Sequence, residues 1–135
     1  MEFIINGNDC QKLHAYTEYL SKKLEMESFC EISISFVNEQ EIQDLNRDYR
    51  SQDKVTDILT FTIESPMENM DMGDIYLCPS LFVDDFSLNS DEKILYFLLA
   101  HGFLHLLGWT HDEPETFDKM MAYQKELLNE YYRSL

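Results

Sequence analysis

The sequence predicts an α+β fold: a small mixed sheet of about four strands packed with helices, one of them a buried central helix that bears histidines. Three observations predict it. Hydrophobic spacing alternates between the strand and helix periods in the order β, α, β, α, β, β, α, α. The chain has 135 residues, 44% hydrophobic and 13% aromatic, which is the length of one domain with the apolar content for a real core. The run from Ile94 to Trp109 is apolar almost all round and includes two histidines, which suits a buried helix and falls short of the ~20 residues that span a bilayer.

Phe3-Ile4-Ile5 reads as the first strand, closed by Asn6-Gly7-Asn8. From Asp9 to about Met26, Leu13, Tyr16, Leu20 and Leu24 recur at three- and four-residue spacing, the period of an amphipathic helix. Glu31 to Val37 alternates, with Ile32, Ile34 and Phe36 on one face and Ser33 and Ser35 on the other, as in a strand with one buried face. Asn38 and Glu41 form a capping-box pair for a short helix through about Asn46. Tyr49 to Asp57 reads as a polar connection, and Ile58 to Ile63 as a strand rich in β-branched and aromatic residues. Glu64 to Gly73, with Pro66 and several acids, reads as a loop, and Asp74 to Cys78 as a strand stopped by Pro79. Asn89-Ser90-Asp91-Glu92 supplies capping and early negative charge for a third helix to about Leu107, which Gly108 ends in a left-handed cap. Pro114 suits the first turn of a last helix reaching about Tyr132.

Twenty-six acidic and ten basic side chains leave a net charge of −16, which opposes nonspecific attraction to nucleic acid. The few cations are concentrated, however. Arg47, Arg50 and Lys54 fall within eight residues, whereas none occurs between Val55 and Glu92. Four glycines and three prolines exclude a fibrous or low-complexity chain. Cys10, Cys30 and Cys78 are odd in number and far apart, which argues against a disulfide framework and a CxxC metal knuckle and for reduced, partly buried thiols. The first residues lack the basic region and cleavage site of a signal peptide, so the expected location is the cytoplasm, with no membrane partner.

Three of the four histidines lie within His101-Gly102-Phe103-Leu104-His105-Leu106-Leu107-Gly108-Trp109-Thr110-His111. Four apart on a helix, His101 and His105 project from one face, and a reversal at Gly108 can return His111 to the same point. Three imidazoles are typical of a catalytic zinc site with a fourth position left open. His14 is an isolated histidine and reads as structural. Asp112 offers an acceptor to orient a ligand imidazole, or caps a helix on the surface. The H-x-x-x-H-x-x-G-x-x-H spacing is that of metzincin proteases, but their general-base glutamate is replaced here by Gly102, which disfavours simple proteolysis. Gly102 either leaves room for substrate beside the metal or lets the helix pack closely. Trp109 can stack on a base, although burial tendencies place such a residue in the core more often.

The histidine run resembles the H-G-x-L-H-L-x-G-[YW]-D-H signature of the YbeY family, metal-dependent endoribonucleases of bacterial ribosomal RNA maturation. Leu45-Asn46-Arg47-Asp48-Tyr49-Arg50-Ser51-Gln52-Asp53-Lys54-Val55-Thr56-Asp57-Ile58-Leu59-Thr60-Phe61 resembles the family's L-N-x-x-Y-R-x-x-D-x-x-T-D-V-L-S-F run, and Gly73-Asp74-Ile75 its G-D-I strand start. The likeness extends from about Ile32 to the final helix. It implies a zincin-like arrangement in a single metal-dependent endoribonuclease domain over 1–135, with one zinc ion held by His101, His105 and His111, and Arg50 as the catalytically important arginine near the cleft. It also implies single-stranded RNA as substrate, 16S rRNA 3′-end maturation and late ribosome assembly and quality control as the role, and the small ribosomal subunit or its proteins as partners, with no DNA expected. Two positions depart from the pattern. Thr110 stands where the family usually has Asp, which leaves an orienting role to the threonine hydroxyl or Asp112, and Val55 replaces the usual Pro.

Zinc polarises a phosphoryl oxygen and lowers the pKa of coordinated water, and a forked arginine contact offsets charge on a phosphodiester. The residues name no general base. Without the resemblance, Arg47, Arg50 and Lys54 read equally as a solvated loop balancing nearby acids. Two other classes use the same histidines: a zinc-containing, non-enzymatic ribosome-assembly factor, whose negative charge suits basic ribosomal proteins, and a metal-dependent peptidase or small-molecule hydrolase.

Overall fold

The computed structural model describes residues 1–7, 11–67 and 70–135. In chain order the elements are β1 (Glu2–Asn6), α1 (Gln11–Lys23), β2 (Phe29–Phe36), α2 (Glu39–Arg50), β3 (Ile58–Ile63), β4 (Asp71–Leu77), a 3-10 turn (Pro79–Leu81), α3 (Asp91–Leu106) and α4 (Pro114–Arg133). This is the predicted order. Asn8, Asp9 and Cys10, where the close of the first strand and the start of the first helix were expected, lie outside the described residues, as do Glu68 and Asn69 in the expected loop. No helix among the described residues is long and apolar enough to cross a membrane. The chain forms two compact units, Met1–Cys10 with Glu27–Val83, and Gln11–Met26 with Asp84–Leu135.

The first unit is built on a four-stranded mixed sheet in the order β1-β2-β4-β3. β2 runs parallel to β1 and β4, while β3 is antiparallel to β4. Alternation sorts the side chains as the sequence predicts: the register sets Ile34 beside Ile75 and Phe36 beside Leu77, and Ile32, Ile34, Ile75 and Leu77 are fully buried. In this unit Ile42, Leu59 and Cys78 form a buried cluster, against which Val37, Leu45, Phe61, Tyr76 and Leu81 pack.

Several boundaries differ from the expected ones: α1 ends at Lys23, short of Met26, β2 starts at Phe29, ahead of Glu31, and α2 and β4 are both longer. The capping box is present, with Glu41 N donating to Asn38 Oδ1 at 2.8 Å and Asn38 N donating to Glu41 Oε1 at 3.2 Å, but α2 continues past Asn46 to Arg50. Asn46 does not stop the helix because its side chain is buried and donates to the Lys54 carbonyl at 3.0 Å. Arg47 and Arg50 favour the last turn, where cations oppose the helix dipole, and Ser51 ends it at φ 56°. Arg50 is therefore a helical residue, and the polar connection is Ser51 to Asp57. β4 begins at Asp71, three residues before the expected Asp74. The acid and glycine of Asp71-Met72-Gly73 hide a strand that is held by pairing, Met72 with Ile63 and Gly73 with Thr62, and by Ser65 N donating to Asp71 Oδ1 at 2.9 Å.

The second unit consists of helices. α1 buries Leu13, Tyr16, Thr17 and Leu20 along one stripe. Tyr16 stacks on Tyr96 of α3 with centroids 4.0 Å apart and donates its hydroxyl to the Tyr96 carbonyl at 2.9 Å, so the buried phenol is satisfied. Tyr19 donates to the Leu127 carbonyl of α4, and Lys23 pairs with Glu130 at 3.0 Å. Ser90 caps α3 by accepting from Lys93 N at 3.0 Å. α3 buries Ile94, Tyr96, Phe97, Leu99, Ala100, Gly102, Phe103, Leu104 and Leu106, as its nearly uniform apolarity predicts.

Candidate metal centre

α3 sets His101 and His105 one turn apart on one face. The helix then ends tightly: the Gly108 amide donates to the His105 carbonyl at 2.9 Å, and the Trp109 amide donates to the Leu104 carbonyl at 3.0 Å. Gly108 has φ 95°, a backbone state that side chains strain, although open space surrounds the position its Cβ would take. Backbone geometry, not crowding, requires the glycine. The reversal brings His111 back to the pair, with ring centroids 5.0 Å from His101 and 4.8 Å from His105. One nitrogen of each ring lies within 4.8 Å of the others. His101 and His105 are half-buried and His111 is exposed.

Hydrogen bonds determine which nitrogens face inward. Gln124 donates its Nε2 to the Phe97 carbonyl at 3.2 Å, so its Oε1 is the atom 3.0 Å from His101 Nδ1. An amide oxygen only accepts, and His101 Nδ1 must carry the proton. The Trp109 carbonyl, 2.9 Å from His105 Nδ1, requires the same of that ring. Both Nε2 atoms then present lone pairs to each other at 2.9 Å. Two neutral imidazoles repel in this arrangement, and a cation between them converts the repulsion to attraction. Nitrogens bound tetrahedrally to zinc at 2.0–2.1 Å stand about 3.3 Å apart, so a small expansion accommodates the ion. The three histidines can hold a metal ion, and the donor set fits zinc. Burial pushes the His101 pKa from 6.5 down to about 4, against the Gln124 hydrogen bond, with His105 and His111 lowering it further, so the ring is neutral near neutral pH.

The orienting contacts come from groups that sequence reasoning missed. Asp112 and Thr110 are exposed, while Gln124 and the Trp109 carbonyl hold the rings of His101 and His105. A signal for Gln124 existed. It shares the helical stripe of Met120, Leu127, Leu128 and Tyr131, where a polar residue is out of place unless it is bonded. Trp109 was expected in the core but is 37% exposed, with its ring 5.3 Å from Tyr123. The helix has ended there, and it is the tryptophan backbone that is committed to His105. Gly102 is buried, which fits close packing of α3 rather than open space for substrate.

Arg50 belongs to the sheet unit. Its guanidinium donates to the Thr60 carbonyl and lies 5.1 Å from the Phe61 ring centroid, which in turn meets Tyr49 edge-on. Arg47 pairs with Asp44 at 3.2 Å and Asp48 at 3.1 Å, the balancing of nearby acids that the bare sequence suggested. Cys30 and Cys78 are free thiols, half-buried and buried, and Cys10 lies outside the described residues.

With this geometry in view, residues 5–132 match the family model described as Endoribonuclease YbeY. The chain belongs to the YbeY family. It is 38% identical to the endoribonuclease YbeY of Staphylococcus carnosus over 136 aligned residues, covering 94% of this chain and 89% of that protein. It is 37% identical to the Staphylococcus aureus protein of the same name, covering 84% and 81%. Among solved structures it resembles the solution structure of TM1509 from Thermotoga maritima, at 31% identity and TM-score 0.59, over 99% of this chain and 93% of that one. Membership in the YbeY family agrees with the α+β architecture and the position of the histidine run on a buried helix.

Proposed function

We propose that this chain is a single-strand-specific, zinc-dependent endoribonuclease of one domain over 1–135, acting in the cytoplasm in 16S rRNA 3′-end maturation and late ribosome assembly and quality control. One observation carries the reading: His101 and His105 turn their Nε2 atoms toward one point, with exposed His111 completing the group. An ion held there, when bound, supplies a Lewis acid for a phosphoryl oxygen and lowers the pKa of coordinated water. The name endoribonuclease, shared by the Staphylococcus relatives, supports RNA as the substrate.

The protein's own residues supply the rest. His101, His105 and His111 bind the ion as neutral imidazoles, and His111 gives the group its solvent face. Arg50 contacts the phosphodiester. Its Thr60 and Phe61 contacts hold the guanidinium in place, and an exposed guanidinium with five N–H donors keeps several for a bidentate phosphate contact. Gly102 supplies no carboxylate beside the histidines, which opposes the peptidase alternative. Arg47 is already balanced by Asp44 and Asp48, so against a net charge of −16 the attraction for RNA phosphate rests on Arg50, and the acidic remainder suits basic proteins of the small ribosomal subunit.

The test pairs metal analysis with cleavage of matched single- and double-stranded RNA by wild type and His105→Ala. One zinc per chain and cleavage of the single strand, both lost in the variant, are expected. Equal metal in both proteins overturns the ligand assignment, and zinc binding without any RNA cleavage favours the assembly-factor alternative. Mapping 16S rRNA 3′ ends in cells depleted of the protein tests the biological role, and unaltered ends refute it.

A further inference from the structure

We propose that Gln124 is a positioning residue for the metal: it selects the tautomer of His101 that leaves Nε2 free to bind, and it fixes the angle of that ring. The inference rests on reading the three histidines as a metal site. Gln124 is 1% exposed, and a buried amide is costly unless both of its ends are bonded. Both are. Its Nε2 donates to the Phe97 carbonyl at 3.2 Å, and its Oε1 accepts from His101 Nδ1 at 3.0 Å.

Phe97 lies four residues before His101, so the carbonyl that Gln124 grips also serves the helical hydrogen bond to the His101 amide. The amide therefore ties the imidazole to the backbone of its own turn, through a side chain on a different helix. A histidine ring in water favours the proton on Nε2, which would block the metal-binding nitrogen. An acceptor at Nδ1 reverses that preference. His105 receives the same service from the Trp109 carbonyl, which no side-chain substitution removes. For His101 the whole effect passes through one residue.

The chemistry also specifies an amide. The position needs one donor and one acceptor on a single planar group: an ionised glutamate keeps the acceptor for His101 but faces the Phe97 carbonyl with a second acceptor, and leucine supplies neither. A purely structural role predicts the opposite order, because leucine suits a buried helical stripe and a buried charge does not.

The test uses zinc itself, titrated against a competing chelator dye, with nitrogen-15 NMR of the histidine rings in the zinc-free wild type. Gln124→Leu should bind zinc about 10- to 100-fold more weakly. Gln124→Glu should retain affinity within about threefold, because the acceptor that sets the tautomer survives. The wild-type spectrum should show His101 protonated on Nδ1. That measurement decides the matter even if a variant fails to fold. Zinc binding by Gln124→Leu equal to wild type, or a His101 proton on Nε2, overturns the inference. Failure of the wild type to bind zinc overturns the metal reading instead, while the spectrum still judges Gln124.

Discussion

Acidifying the metal-free protein should weaken it through His101. Burial depresses the pKa of this ring from 6.5 to about 4 in the folded chain, while the unfolded chain titrates at its ordinary value. Below about 6.5 the unfolded state therefore gains a proton that the folded state refuses, and stability falls with pH until about 4, where the loss is complete. The full gap is worth at most about 3 kcal/mol, and by about pH 5 roughly 2 kcal/mol of it is already lost. Working no lower than about pH 5 also keeps the acidic chain above its isoelectric point near 4.3, where solubility fails.

The assay is urea unfolding of zinc-free wild type and His101→Asn at about pH 7.5 and about pH 5. The asparagine variant keeps every other titrating group, so subtracting its pH response leaves His101 together with its coupling to His105 and His111. Wild type should lose roughly 2 kcal/mol more than the variant on acidification. Equal losses in the two proteins would refute the argument that His101 is held neutral by its surroundings. Saturating zinc should widen the difference at neutral pH, since the ion stabilises only a folded chain that keeps its ligand.

Chelating the metal should leave helical circular dichroism intact while lowering the melting temperature and abolishing RNA cleavage; loss of the fold would mark the zinc as structural. Arg50→Ala should reduce cleavage and also lower the melting temperature by roughly 2 to 4 °C, since contacts with Thr60 and Phe61 are lost together. Arg50→Lys should restore part of the stability but little of the cleavage if the fork is what holds phosphate, and full cleavage by the lysine variant would exclude bidentate contact. Gly102→Glu places a carboxylate at a buried position of α3, so thermal melting should show destabilisation above about 2 kcal/mol and no peptidase activity should appear. A stable variant that hydrolyses peptide would instead identify a disabled protease.

Where the sequence was legible, burial and backbone constraint coincided with residue type. The alternation of Ile32, Ile34 and Phe36 defined a strand face because one side of β2 is buried, and the spacing of His101 and His105 defined a shared helix face because α3 runs through both without interruption. Legibility failed where one residue type serves two purposes. The polar run from Asn46 hides the end of α2, because the Asn46 side chain donates to the Lys54 carbonyl inside a continuing helix. Asp71 resembled a loop residue but closes the β3–β4 hairpin through Ser65.

The candidate metal centre divides the same way, and the division follows from where the information resides. Its three histidines and the turn come from one stretch, so their spacing suffices: a helix, a glycine with φ 95° and three more residues bring His111 to the other two. The groups that orient the ligands are a backbone carbonyl at Trp109, which has no residue signature, and an amide 23 positions beyond His101. Trp109 thereby reverses its expected priorities, since its backbone serves the site while its indole stands at the surface. Gln124 shows how such a group can still be found. A helix that buries Met120, Leu127, Leu128 and Tyr131 pays to bury an amide among them, and that cost is offset only by partners that use both its donor and its acceptor. A polar residue on the apolar stripe of the helix that follows a histidine pair is therefore itself a prediction of what the histidines need.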